Sequence, residues 1–142
     1  MTTATEYKDN SPAVQAHLNI MQSVIQRMSS NSSSSKAWCI TLVSAVLVIV
    51  ADKSKPQYSW IAVIPTSLFL VLDAYYLALE KGFRESYNHF IDKLHRGEVK
   101  RDDLYAVVPS GSHFFEALRS FSVWPMYLTL LGMVYAAKRF VM

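Results

Sequence analysis

One carboxylate stands out for what surrounds it. Asp73 lies within Leu-Phe-Leu-Val-Leu-Asp-Ala-Tyr-Tyr-Leu, and helical spacing puts Asp73, Tyr76, Glu80, Arg84 and Tyr87 along one stripe. Glu80 and Arg84 are four residues apart in the favourable order for an ion pair. A carboxylate in hydrocarbon costs on the order of 3 kcal/mol on insertion scales, so it must face other helices, water or a partner. Two chemistries fit. One is a pore lining or helix–helix switch. The other is a buried knot, with Asp73 hydrogen-bonded to a Ser, Thr or Tyr hydroxyl of a neighbouring helix. The two are compatible if the knot holds subunits around an opening.

Other reactive residue types carry less. His89, Asp92 and His95 recur every third residue. On a helix the outer pair diverges by roughly 120°, which does not suit shared ligation, and no fourth ligand is evident. Cys39 is the single cysteine and lies in an apolar run, so it reads as a small buried hydrophobe without a disulfide. No phosphate loop, nucleophile elbow or zinc-protease helix occurs. Neither catalysis nor a cofactor is expected. The basic stretch 93–101 suits lipid headgroups better than nucleic acid, because it lies just outside an apolar run.

The elements that must position Asp73 are long and apolar. Residues 37–51 contain no charge, Pro or Gly, and further apolar runs follow at 60–72 and 121–137. A soluble bundle would restrict apolar residues to one stripe of each helix, whereas 37–51 is apolar all round. Three such runs in 142 residues exceed what the remaining chain can cover. They read as membrane segments at 37–52, 58–80 and 121–137. A bilayer core of about 30 Å needs roughly 20 helical residues. The first run reaches that length by snorkelling at Lys36 and Asp52. The third is marginal and reads as a span or a re-entrant segment. No signal peptide precedes the runs, so the whole chain is expected to stay in an inner or plasma membrane.

The net charge of +3 is informative by position. Lys81, Arg84, Lys93, Arg96, Lys100, Arg101 and Arg119 fall between the second and third runs, and Lys8, Arg27 and Lys36 precede the first. Only Lys53 and Lys55 lie in the first turn. The positive-inside rule then puts the N-terminus and 81–120 in the cytoplasm and the 52–58 turn outside. Three spans leave the C-terminus outside, against the mild pull of Lys138 and Arg139. Trp38, Tyr58, Trp60, Tyr75, Tyr76, Trp124 and Tyr127 gather at the expected boundaries as an aromatic belt.

Residues 1–10 read as loose and polar. Ser11-Pro12 starts a helix. Val14, Leu18, Met21, Ile25 and Met28 form a heptad-like stripe, suited to packing on a neighbouring helix or on the same helix of another subunit. The Ser/Asn run 29–35 marks a hinge. A second helix is expected from residue 58 to 95, kinked at Pro65 and capped by Gly97. Residues 102–109 read as irregular. Ser112 would cap a short helix with Phe114, Leu118 and Phe121 on one face, leading through Trp124-Pro125 into the third run.

Several pieces are distinctive together. They are Val24-Ile25-Gln26-Arg27-Met28-Ser29-Ser30-Asn31-Ser32, Lys36-Ala37-Trp38, and Leu72-Asp73-Ala74-Tyr75-Tyr76-Leu77 with Glu80, Phe83-Arg84 and Tyr87. Over residues 18–90 the chain resembles the SLATT-like group of small bacterial membrane proteins found beside anti-phage defence genes, which includes the membrane accessory protein of the RADAR system. The resemblance implies a membrane effector triggered by a sensor from the same operon, with Asp73, Tyr76, Glu80 and Arg84 as the positions that carry over.

The expected architecture is therefore all-α, a single membrane domain of two to three transmembrane helices. An N-terminal cytoplasmic helix precedes them, and the long second helix extends into the cytoplasm. The leading functional expectation is a homo-oligomeric inner-membrane effector that permeabilises the bilayer when triggered. Leu18, Met21, Ile25 and Met28 are its oligomerisation candidates, and the lipid bilayer and a soluble sensor or enzyme complex are its partners. The alternatives are an anchor for a soluble defence complex and a small ion channel.

Overall fold

The computed structural model describes residues 10–53 and 55–140. The expectation of loose structure at 1–10 therefore falls almost wholly outside the described residues. Those described are helical or irregular, with no strand among them. Four α-helices follow in order: α1 (Pro12–Asp52), α2 (Val63–His95), α3 (Phe114–Leu118) and α4 (Trp124–Phe140). Short 3-10 segments occupy Pro56–Ala62 and Arg101–Asp103.

The helix α1 begins with Pro12 after Ser11, where the missing N–H of proline costs nothing. It then runs 41 residues without a break, about 60 Å. The hinge expected at 29–35 is absent. Ser35 donates its hydroxyl to the Asn31 carbonyl one turn back at 2.9 Å, and Ser32 points into the contact with α2. These hydroxyls are satisfied inside the helix and across its interface, so they do not compete for the backbone. Their small side chains also let α2 approach.

Tight backbone bonds turn the chain at 53–58, and α2 returns antiparallel to α1. Pro65 falls in the first turn of α2, where no intrahelical donor is required. Its effect lies upstream. It offers no N–H to the Ile61 carbonyl, and the preceding Pro56–Ala62 segment is wound as 3-10 helix. Gly97 ends α2 with φ +67°. Its N–H donates to Leu94 O and that of Glu98 to Lys93 O, the double bond of a Schellman motif.

Beyond α2, residues 104–112 are irregular, as the Pro and Gly signals suggest. The cap position of α3 is His113, not Ser112, and it makes no side-chain capping bond. Phe121 lies outside α3. Most of the third apolar run forms one continuous helix, α4, with residues 121–123 in the turn before it. The Tyr127 hydroxyl donates to Phe69 O at one end, and Lys138 stacks on the Trp60 ring at the other. Thus α4 runs antiparallel to α2 along the apolar part of the bundle. At 17 residues it is shorter than the roughly 20 that a bilayer core asks for.

Two cores result. Cys39, Val43, Ala62, Val123, Tyr127, Leu130 and Val134 pack together at the apolar end. Val14, Met21, Phe90, Leu94, Val99 and Leu104 pack at the polar end. The segments Pro12–Asp52 and Pro56–His95 are each long and apolar enough to cross a membrane. Only 22 % of either apolar window is buried within the chain, the reverse of a soluble core helix. Val48, Ile49, Ile64, Leu68 and Tyr135 lie on this exposed apolar surface.

Candidate functional site: an ion pair between the two cores

The site is built from α1 and α2 where the two cores meet. Asp73 is wholly buried. Its Oδ1 accepts a hydrogen bond from Ser32 Oγ at 2.5 Å and from Lys36 Nζ at 2.7 Å. Lys36 Nζ also donates to Ser32 Oγ at 3.1 Å, which closes a triangle. Ser32 and Lys36 are one turn apart on α1 and share the face turned to α2. The Lys36 side chain is 21 % exposed, so the pair touches solvent on one side only. Asp73 Oδ2 is buried without a hydrogen-bond partner among the described residues.

Helical rise fixes where this triangle lies. Lys36 is about 24 Å along α1 from Asp52, at the turn. A bilayer core is about 30 Å thick. The sequence suggests that Asp73 sits at depth in the second span; along α1 the pair lies where the uncharged run 37–51 ends, at Lys36. There the lysine keeps one side toward water while its stem covers apolar surface. The Tyr127 hydroxyl bonds Phe69 O, one turn before Asp73, so α4 also ends its packing at this level.

The remaining residues of the α2 stripe separate. Glu80 is largely buried and accepts from Arg84 Nη2 at 2.8 Å, whereas Arg84 is mostly exposed. Tyr76 is half-buried and meets the Tyr75 ring edge-on. Tyr87 is half-buried against the polar-end core. Only Asp73 enters the triangle. Its partners Ser32 and Lys36 were not among the residues singled out for function, although the Ser32 bond is of the hydroxyl-to-carboxylate type offered as one of two readings. The signal was there: Lys36 is the only charge between Arg27 and Asp52. The stripe on α1 also faces inward, with Met21 and Ile25 buried and Leu18 and Met28 half-buried.

The polar end carries two further clusters. His17 is buried against the Phe90 ring, and its Nδ1 accepts the Tyr105 N–H at 2.9 Å. The proton of the neutral ring therefore sits on Nε2. Burial pushes its pKa down, partly opposed by the Asp103 carboxylate. Asp103 is itself held low by the Lys100 backbone N–H and by Lys93. The second cluster joins α3 to α2. His113 Nε2 lies 2.9 Å from Glu85 Oε2, and Nδ1 lies 3.1 Å from Glu116 Oε2. Lys81 donates to Glu116 Oε1 at 2.7 Å. Hydrogen bonding to Glu85, then to Glu116, raises the His113 pKa. Among the described residues no group of three His, Cys, Asp or Glu side chains is arranged to hold a metal.

The fold is thus all-helical, with two helices long and apolar enough to cross a membrane. Comparison with protein-family models, curated proteins and solved structures finds no match for the chain.

Proposed function

We propose that the chain is a homo-oligomeric effector of the bacterial inner membrane, one that perturbs or permeabilises the bilayer when a soluble partner triggers it. The observation that carries this reading is the Lys36–Asp73 pair, buried at the edge of an otherwise lipid-facing bundle. Two apolar side chains would hold α1 and α2 together at least as well as a buried ion pair. A charged pair is useful where the contact must open, because each partner is costly once separated. In the closed chain Asp73 lines no opening; parting α1 from α2 would expose it. The polar end, with 81–120, faces the cytoplasm by its Lys and Arg content, and α4 is a short third crossing. The resemblance to SLATT-like proteins of anti-phage defence supports a triggered role.

The second reading is an anchor for a soluble defence complex. What favours it is the polar end, which has its own core and a cavity of about 190 Å³ lined by His17, Ser86, Phe90, Lys93 and Asp102 among others. Membrane potential in bacteria after induced expression, read with a voltage-sensitive dye, separates the two. Depolarisation by the wild type, or by Asp73→Asn with the wild type silent, is expected of the effector. A steady potential with both chains confirmed in the membrane fraction overturns the Lys36–Asp73 pair as the gate and favours the anchor.

A further inference from the structure

The segment that joins the two cores on the outside of the bundle, residues 114–124, exposes more aromatic surface than it buries. Phe115 is 78 % and Phe121 82 % exposed, and the Phe121 ring stands edge-on to a half-exposed Trp124. Phe121 and Trp124, in ring contact, make a contiguous exposed apolar patch, and such patches mark interaction or membrane surfaces. Their height along the bundle says which. Trp124 opens α4 three residues before Tyr127, which bonds Phe69 O, so Phe121 and Trp124 lie at the level of the Lys36–Asp73 pair. Glu116 is tied to Lys81, about 12 Å farther toward the polar end. The segment therefore slopes across the boundary between apolar band and polar end. Between the two Phe residues stands Arg119, exposed and without an ion-pair partner among the described residues. Nearby cations Lys81 and Arg84 are already engaged by Glu116 and Glu80.

We infer that α3 and the turn to α4 form an interfacial foot, with Phe121 and Trp124 inserted at the acyl boundary, Phe115 shallower, and Arg119 binding anionic lipid headgroups. Aromatic rings favour this level of a bilayer, and a cation beside them finds its counter-charge there. The inference rests on the membrane reading of α1 and α2. Since α3 is clasped to α2 through Lys81–Glu116 and Glu85–His113, the foot couples the leaflet to the helix that carries Asp73.

The test uses the full chain with Cys39→Ala and single cysteines at Val48, Phe115, Phe121 or Lys100, each labelled with bimane. The chains are reconstituted in vesicles of phosphatidylcholine alone or with increasing phosphatidylglycerol. Lipids brominated at shallow or deep acyl positions report depth by quenching. The expected result is quenching at Val48 and Phe121, weaker and shallower quenching at Phe115, and none at Lys100. Adding Arg119→Gln should raise the phosphatidylglycerol fraction needed for half-maximal quenching at Phe115 by about fivefold, the worth of one basic residue near an anionic leaflet. An unquenched Val48 overturns the membrane reading itself. Val48 quenched with Phe115 and Phe121 as free as Lys100 overturns the foot alone. The same holds if the Phe121 cysteine instead cross-links between copies, which would make a second chain its cover. Equal quenching with and without phosphatidylglycerol overturns the recognition of anionic headgroups.

Discussion

Lys36 Nζ lies 2.7 Å from Asp73 Oδ1, and the Ser32 hydroxyl closes on the same oxygen, whereas Oδ2 has no hydrogen-bond partner in reach among the described residues. Both of those bonds come from α1, while the Tyr127 side chain of α4 also approaches the carboxylate. The contact between the two long helices therefore depends on charge at this level and on apolar packing above and below it.

Removing one charge should be worse than removing both. Asp73→Asn leaves Lys36 beside a buried amide, and Lys36→Met leaves a buried carboxylate with one hydroxyl. Each should cost about 3 kcal/mol, the low end for a broken buried pair because Lys36 keeps partial access to solvent. The double variant Lys36→Met, Asp73→Leu should regain most of that loss. Thermal unfolding of the four chains in one detergent checks it. A double variant no more stable than the worse single one would show that the charges hold the fold by themselves.

The docked loop makes a second prediction. Ser110 N–H donates to Gly82 O at 3.1 Å, and Ser86 Oγ lies 2.7 Å from Val108 O. A Cβ at Gly82 would meet Ser110 O at 2.8 Å and Pro109 Cβ at 3.0 Å. Backbone cannot move aside like a side-chain tip, so Gly82→Ala should lift residues 107–111 off α2 at a cost of about 1–3 kcal/mol. Hydrogen exchange should quicken at Ser110 while α1 amides keep their protection. Unchanged exchange at Ser110 would mean the loop adapts in place.

Legibility followed periodicity. The start of α1 at Ser11-Pro12 and the stop of α2 at Gly97 are local chemistry, and both were readable. The Ser run misled because propensity describes an isolated helix. Here Ser32 and Ser35 are buried, Ser32 against Asp73 of α2, and burial beside a partner decides. The stripe on α2 was visible as a stripe, yet spacing alone does not tell which of its members turns inward. Asp73 was legible as a residue in need of a partner. Lys36 was not legible as that partner, since its pairing spans 37 residues and depends on the register of two helices. Ser112 is not the cap because α3 begins one residue later, at Phe114, with His113 at the cap position.

The left-handed turn at Gly97 gives a smaller effect. Its φ of +67° is open to glycine and strained for an L side chain, although a Cβ there would meet nothing within 4 Å. Gly97→Ala should therefore cost about 1 kcal/mol from backbone strain alone, and Gly97→Asn less, because Asn tolerates this region. Comparing the two melting temperatures checks the cause, for a steric origin would rank Asn as the worse.

The two histidines at the polar end should tilt stability in opposite directions with pH. His17 has its pKa lowered by burial, so the unfolded chain takes up a proton first as pH falls. Its contribution is whole above the unfolded value of about 6.5 and is lost as pH falls below it toward the folded pKa. Protonation would also put a proton on Nδ1, where Tyr105 N–H now donates, and break that bond. His113 has its pKa raised by Glu85 and Glu116, so the folded chain holds its proton longer. Its contribution is whole below about 6.5 and is lost as pH rises through the folded pKa. Thermal unfolding of full-length chain between pH 5 and 8 should therefore show His113→Gln losing most at the acid end and converging with wild type at the alkaline end. His17→Phe should lose the acid-side decline that the wild type shows. The Glu116 carboxylate, held low by Lys81 first and His113 second, stays ionised throughout that range and leaves the assignment clean. If His113→Gln instead loses most at pH 8, the clasp on α3 works with a neutral ring, and its coupling to α2 is hydrogen bonding without charge.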